Sequence, residues 1–240
     1  MISFTQNLES FFMPRVSVMN ILCLNHAFKD SPLSADTWVQ HTDNKISAVL
    51  SRFGNRLYLY SNQEGIDELK EFINFLNCSE VFCEEEVARK LNLKINKTFN
   101  VLHKYSSKLR EFDYNSVSLK NLYQNLSFGA DGDIVLPSFE DFAADVSHRL
   151  RHGGGVALTS KQGAALAFVC KNGGIINGIS VYRSSRGKGI GSKLLNNLCE
   201  FINNNVFVCC SDENTEFYIK NGFALIDKAV IAGGPDATVL

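Results

Sequence analysis

Glycine is nearly absent from the first half of this sequence. Of 17 glycines in 240 residues, only Gly54 and Gly65 fall within the first 128, whereas ten lie between Gly153 and Gly191. Long apolar runs are absent too: the longest, Ala164 to Cys170, is far short of the roughly 18 residues that a membrane-spanning helix needs. A soluble chain with no membrane partner is expected. Neither charge is in excess. The net charge is −1, with 14 basic and 14 acidic residues up to Asn125 and ten against eleven beyond it, which argues against a nucleic-acid partner, since such proteins carry a basic surplus or stripe. Met1 to Arg15 lacks the basic start, apolar core and small-residue cleavage site of a secretory signal, so a cytoplasmic address is expected. The seven cysteines are odd in number and scattered, and no Cys-x-x-Cys occurs. No histidine follows the adjacent Cys209 and Cys210, so neither a disulfide framework nor a zinc site is supported.

What is present is a chain built to fold. Its 45% hydrophobic content can bury a sizeable core, which excludes disordered and fibrous classes; at about 150 residues per domain, its length falls between one domain and two. The first half reads as strands Trp38 to Thr42, Ile46 to Phe53 and Arg56 to Ser61, joined by turns at Asp43-Asn44-Lys45 and Gly54-Asn55. A helix follows from Glu64 to Leu76, where Ile66, Leu69, Phe72, Ile73 and Leu76 recur at steps of three and four. Next come a short buried strand Val81 to Cys83, a helix Glu84 to Leu91 with acidic residues in its first turn, and a strand Thr98 to Lys104. The second half repeats this order after a polar stretch, Ser127 to Asp133, and a helix around Phe139 to Arg151. Strands Gly155 to Thr159, Ala164 to Lys171 and Ile175 to Tyr182 precede a helix Ser192 to Ile202 and a strand Val206 to Cys210. A helix from about Glu213 to Asn221, closed by Gly222, and a strand Phe223 to Val230 complete it. The two short apolar strands begin alike, Val81-Phe82 and Val206-Phe207, 125 residues apart. Such self-similarity points to two copies of one supersecondary unit, because solenoid repeats recur at about 20 to 50 residues.

The clustered glycines frame the sharpest local signal, Ser180-Val181-Tyr182-Arg183-Ser184-Ser185-Arg186-Gly187-Lys188-Gly189-Ile190-Gly191-Ser192. A strand here runs through a glycine loop into an amphipathic helix. Glycines let the backbone approach an anion closely, and the helix start presents unpaired N–H groups with partial positive charge. Phosphate or pyrophosphate is the natural ligand, and Arg186 and Lys188 add cationic donors beside it. A P-loop is ruled out, because Gly187-Lys188 is followed by Gly189 and no glycine lies five residues before Gly187. A dinucleotide fingerprint is met in part: Ser192 takes its third glycine place, and Asp212 lies at a plausible distance for a ribose contact. Only 28 residues follow Asp212, however, too few for the further parallel strands of that fold.

The segment resembles motif A of the GNAT acetyltransferase superfamily, Arg/Gln-x-x-Gly-x-Gly/Ala after a strand ending in Val. Arg186, Gly189 and Gly191 fill its fixed places, with Val181 five residues before the arginine. Glu216-Phe217-Tyr218-Ile219-Lys220-Asn221-Gly222-Phe223 resembles the superfamily's later helix, and together the two matches cover roughly Ser138 to Val230. The resemblance implies acyl transfer from acetyl-coenzyme A to a primary amine by direct attack in a ternary complex. It implies backbone bonds from Ile179, Ser180 and Val181 to the pantetheine arm, and a pyrophosphate cradle formed by Arg186, Gly187, Lys188, Gly189, Ile190, Gly191 and Ser192. Tyr218 matches the tyrosine that protonates the departing thiolate. Two departures stand out. The superfamily often places Asn seven residues before the tyrosine, where this chain has Ser211, although Asn214 is nearby and could bond the cofactor arm. Some members use a glutamate on the strand before the loop as general base, whereas Ile175 to Tyr182 holds no carboxylate. His148, His152, Asp212, Glu213 or a water chain could serve instead, or the amine could arrive neutral.

In the first half, Ser61-Asn62-Gln63-Glu64-Gly65 stands where the glycine loop should be, with one glycine, an acid and no arginine. A pyrophosphate there would meet Glu64, and like charges repel. The expected architecture is therefore α+β, with tandem GNAT-like units, each a mixed central β-sheet flanked by helices. Residues 1–125 form a degenerate copy without a cofactor loop, and residues 126–240 the acetyltransferase domain. A non-catalytic coenzyme A sensor and a dinucleotide-dependent oxidoreductase are the alternative readings. The acceptor and the oligomeric state have no signal in the sequence.

Overall fold

The computed structural model describes residues 1–8, 16–28, 35–108, 111, 113, 116–129 and 136–233. In chain order these form β1 (Ile2–Phe4), α1 (Val18–His26), β2 (Asp36–Thr42), β3 (Lys45–Phe53), β4 (Arg56–Ser61), α2 (Ile66–Leu76), β5 (Glu80–Glu84), α3 (Glu85–Lys90) and β6 (Ile95–Tyr105). There follow α4 (Leu119–Gly129), α5 (Phe139–Arg151), β7 (Gly155–Ser160), β8 (Gly163–Cys170), β9 (Gly173–Val181), α6 (Ile190–Ile202), β10 (Asn205–Cys210), α7 (Asp212–Lys220) and β11 (Ala224–Gly233). The expected polar stretch from Ser127 begins as the last turn of α4, and its remainder lies outside the described residues.

Two compact units emerge. The first gathers Met1–Leu102, Cys209–Thr215 and the segment from Leu225; the second gathers His103–Val208 and Glu216–Ala224. In the first unit β1 to β4 are consecutive antiparallel neighbours, β5 lies parallel to β4, and β11 pairs antiparallel with β5 from Ala229/Glu84 to Gly233/Glu80. The β2–β3 turn is two residues long, with Asp43 at φ 51° and Asn44 at φ 61°. Asp and Asn tolerate these left-handed angles, and the resulting twist suits a tight hairpin. One face of this sheet buries Leu50, Leu57, Leu59, Val81 and Val230 against Leu69, Ile73 and Leu76 of α2 and Val87 of α3. Burying each such side chain stabilises the fold by about 1.5 to 3 kcal/mol.

In the second unit β10, β9, β8 and β7 are successive neighbours, parallel at β10–β9 and antiparallel thereafter. Ser138 caps α5 by accepting the Asp141 N–H. Phe142, Val146 and Leu150 then pack with Leu122 and Leu126 of α4 onto Ala157, Ala164 and Leu166. The stripe Leu194, Leu195, Leu198, Cys199 and Ile202 on α6 is buried.

The two units repeat each other in backbone detail. Both α2 and α6 begin after a left-handed glycine, Gly65 (φ 65°) and Gly189 (φ 74°), and two residues earlier Gln63 and Gly187 share φ 74°. Both helices end on a left-handed asparagine, Asn77 at φ 47° and ψ 46° and Asn203 at φ 46° and ψ 44°.

Candidate functional site

The site begins where two parallel strands part. β9 and β10 pair only at Gly173/Asn205, Gly174/Val206 and Ile175/Phe207. On its other edge β9 stays paired with β8 as far as Val181. Residues 176–181 thus keep strand conformation beside an edge that β10 leaves open, and an open edge offers alternating backbone donors and acceptors to an extended ligand. The divergence has a local cause. The register shifts between Leu166 and Ala167, opposite Asn177, whose Oδ1 accepts the Phe168 N–H at 3.1 Å; such a bulge bends its strand. By contrast, β4 and β5 pair over four positions, from Arg56/Glu80 to Leu59/Cys83, so only Tyr60 and Ser61 of β4 extend past them.

Ile179, Ser180 and Val181 are the last three residues of β9. Ser180 is buried and its hydroxyl donates to the Asn125 carbonyl at 2.5 Å. Asn125 of α4 also donates to the Ser160 carbonyl at 2.9 Å, and its Oδ1 accepts the Tyr182 hydroxyl at 2.6 Å. This one buried amide therefore ties α4 to the end of β7 and to the residue after β9. Beyond Tyr182, a single 3-10 turn leads to Arg186, whose Nε donates back to the Val181 carbonyl at 3.1 Å. Lys188 Nζ donates to the Ser184 carbonyl at 3.0 Å. Arg186 to Gly189 are all exposed.

Gly187 and Gly189 both hold φ 74°, and a Cβ on either would meet no atom within 4 Å. Their glycines are demanded by backbone conformation and leave open space above the loop. Gly189 offers α6 no side-chain cap, and no acid stands in the first turn. The N–H groups of Ile190, Gly191 and Ser192 thus have no side-chain cap, at the positive end of a 13-residue helix. The matching place in the first unit is filled: Asp67 and Glu68 occupy the first turn of α2, and Gln40 donates to the Gly65 carbonyl and to Glu68, both at 2.9 Å. The Gln40 amide holds the Glu68 carboxyl below its ordinary range. An added Cβ at Gly65 would lie 2.8 Å from that amide nitrogen.

The pieces of the second unit meet at Gly191. A Cβ there would sit 3.4 Å from two ring carbons of Phe217 and 3.6 Å from Val181 Cγ2. The first turn of α6 therefore lies within van der Waals reach of α7 and of the end of β9. Tyr218, next to Phe217, is buried, its ring edge-on to Phe217 at 5.1 Å and to Phe223 at 5.6 Å. Asn214, one turn earlier on α7, is exposed and donates to Ser211 Oγ at 3.2 Å.

The residues considered as bases have other surroundings. The rings of His148 and His152 lie 4.5 Å apart and tilted by 38° at the end of α5, Asp212 accepts the Asn100 amide at 2.7 Å, and Glu213 is exposed. Burial pushes the Cys209 thiol up to about 12 and raises that of Cys210, so these are neutral thiols and poor nucleophiles at neutral pH. Among the described residues no group of three or more His, Cys, Asp or Glu could hold a metal ion. No described helix is long and apolar enough to cross a membrane.

Residues 150–225 match the family model of the acetyltransferase (GNAT) domain, a span that includes the splayed strands, the glycine loop and Tyr218. No curated protein matches the chain. Among solved structures, the fold is similar to a GNAT-family acetyltransferase from Colwellia psychrerythraea, at 14% identity over 98% of this chain and 99% of that one, with a TM-score of 0.53. It is similar to a GCN5-related N-acetyltransferase from Sphaerobacter thermophilus at 14% identity, covering 85% and 82% with a TM-score of 0.57. A tandem GNAT protein from the clavulanic acid biosynthesis pathway aligns at 11% identity over 97% of this chain and 98% of its own, with a TM-score of 0.56. At these identities the likeness is one of fold, and the fold is that of tandem GNAT-like units.

Proposed function

We propose, from the match of residues 150–225 to the GNAT acetyltransferase family model, that this chain is an acetyl-coenzyme A-dependent N-acetyltransferase that acts on a primary amine by direct attack in a ternary complex. One observation carries the reading: an open strand edge at 176–181 runs directly into a glycine loop and an acid-free helix start, all in one unit. Acetyl-coenzyme A supplies the acetyl group as an activated thioester. The backbone of Ile179, Ser180 and Val181 holds its pantetheine arm as an added strand, and Asn214 offers that arm a further amide. Residues Arg186 to Ser192 surround the pyrophosphate with main-chain N–H groups, with Arg186 and Lys188 contributing charge. Transfer forms one C–N bond and breaks one C–S bond; the amine gives up one proton and the departing sulfur gains one. Tyr218 provides the latter, a phenol of ordinary pKa about 10 being well matched to a thiolate of similar basicity.

The first unit takes no cofactor in this reading. Its β4–β5 edge is closed further along, and Asp67 and Glu68 put acid into the first turn of its helix, where a phosphate would be repelled. The cytoplasm is the proposed setting. A second reading, a coenzyme A-binding module without turnover, is favoured by the absence of any carboxylate on β9. A panel of primary amines, from polyamines to amino sugars and lysine peptides, separates the two. Amine-dependent thioester loss supports the enzyme, and loss at the uncatalysed rate with every amine supports the module.

A further inference from the structure

α7, which carries Tyr218, is gripped at both ends by one strand. Near its start, the buried Asn100 of β6 donates both amide hydrogens, to Asp212 Oδ1 at 2.7 Å and to Thr215 Oγ1 at 2.8 Å. Thr215 Oγ1 in turn donates to the Ser211 carbonyl at 3.1 Å. At its end, Lys104 Nζ donates to the Asn221 carbonyl at 2.8 Å and to Asn196 Oδ1 of α6 at 3.2 Å, and lies 5.7 Å from the centre of the Phe223 ring. Phe223 packs edge-on against Tyr218. The chain also folds back on Tyr218 here, whose carbonyl accepts the N–H groups of Asn221 and Phe223. A cation placed at a helix C-terminus interacts favourably with the exposed carbonyls. Asn100 and Lys104 are four apart in β6 and so stand on one side of it.

We propose that Asn100 and Lys104 are positioning residues for acetyl transfer, fixing α7 at its two ends so that the Tyr218 hydroxyl is aimed at the sulfur of coenzyme A. The inference rests on the reading of Tyr218 as the proton donor. Two polar side chains are spent on four groups of α7 and its flanks and one of α6, where apolar residues would pack without directional demands. Both precede the glycine loop by more than 80 residues in the sequence. Lys104 also links the C-terminal turn of α7 to α6, the helix whose first turn borders the phosphate loop. A displacement of about an ångström in a reacting group can cost about a hundredfold in rate.

The test uses the full-length protein with coenzyme A itself, so that no acceptor is needed. The ionisation of the bound thiol is read from the ultraviolet absorbance of its thiolate as a function of pH, alongside the dissociation constant of coenzyme A. A hydroxyl donating to the thiolate favours ionisation, so Tyr218→Phe lowers the thiol's ionisation constant about tenfold, one unit of pKa. Lys104→Met and Asn100→Leu each lower it by a substantial part of that factor while coenzyme A affinity stays within about threefold, since neither residue is in the phosphate loop. Added to Tyr218→Phe, neither change has a further effect, a non-additivity that a general loss of stability would not produce. Lys104→Gln, with a shorter neutral donor, makes the same comparison at that position if the Met variant does not fold. If Tyr218→Phe shifts the thiol and the other variants leave it unmoved, or if their effects simply add to it, the positioning role is overturned while the donor survives. If Tyr218→Phe itself has no effect, the donor assignment fails and the positioning role fails with it.

Discussion

Tyr218 is buried with its ring edge-on to Phe217 and Phe223, and Phe217 approaches the start of α6 at Gly191. Replacing it by Phe keeps the ring contacts and deletes one hydroxyl. Steady-state kinetics with an accepted amine should show turnover down about a hundredfold, the lower end of what a positioned acid contributes, with coenzyme A affinity nearly unchanged. The cysteines make a separate prediction. Burial holds Cys23 and Cys83 at about 12 against an ordinary 9.0. Their folded values are raised, so their contribution to stability is fully present below the unfolded value of 9.0 and is lost as pH rises from there toward 12. Urea titrations across that window should show falling stability, less steep in a Cys23→Ala variant, and native protein should leave both thiols unalkylated.

At the level of elements, β11 shows how local pattern and pairing differ as information. Its apolar residues mark a strand, but that composition says nothing about its partner, and the strand pairs with β5 through Val230 and Ala232, both wholly buried in the first unit's core. Val230→Ala removes two methyl groups from that core and should cost about 2 kcal/mol, including the cavity left behind. Equilibrium urea unfolding would detect it as a lower midpoint at unchanged slope. The same distinction explains what the sequence showed and what it hid. The stripes of α2, α5 and α6 were readable because each has one polar face, and β2 to β4 because short turns at Asp43-Asn44 and Gly54-Asn55 bound them. α1 was not, because eight of its nine residues are buried and no periodicity stands out. α4 was not, because its buried side is little more than Leu122, Asn125 and Leu126. The glycine loop was legible because left-handed backbone leaves a compositional mark, as at Gly187 and Gly189. The same angle at Gln63 leaves none. The Asn125 clamp, the bulge at Asn177 and the grip of Asn100 and Lys104 on α7 depend on partners remote in sequence, and no spacing announces them.

For the whole molecule, the uneven glycine distribution goes with a structural difference between the two units. One keeps an open strand edge and an unneutralised helix start; the other has extended the pairing of the corresponding strands and placed Asp67 and Glu68 on the corresponding helix. The central claim is that the chain binds coenzyme A once, at the loop of residues 186–192. Isothermal titration of the full-length protein with coenzyme A tests it most directly, with Gly189→Glu as the paired variant. That change forces a side chain onto left-handed backbone and puts a carboxylate into the phosphate cradle. The account predicts one coenzyme A per chain for the wild type and no measurable binding for the variant with its fold retained by circular dichroism. Two sites per chain, no binding by the wild type, or binding that survives Gly189→Glu would contradict it.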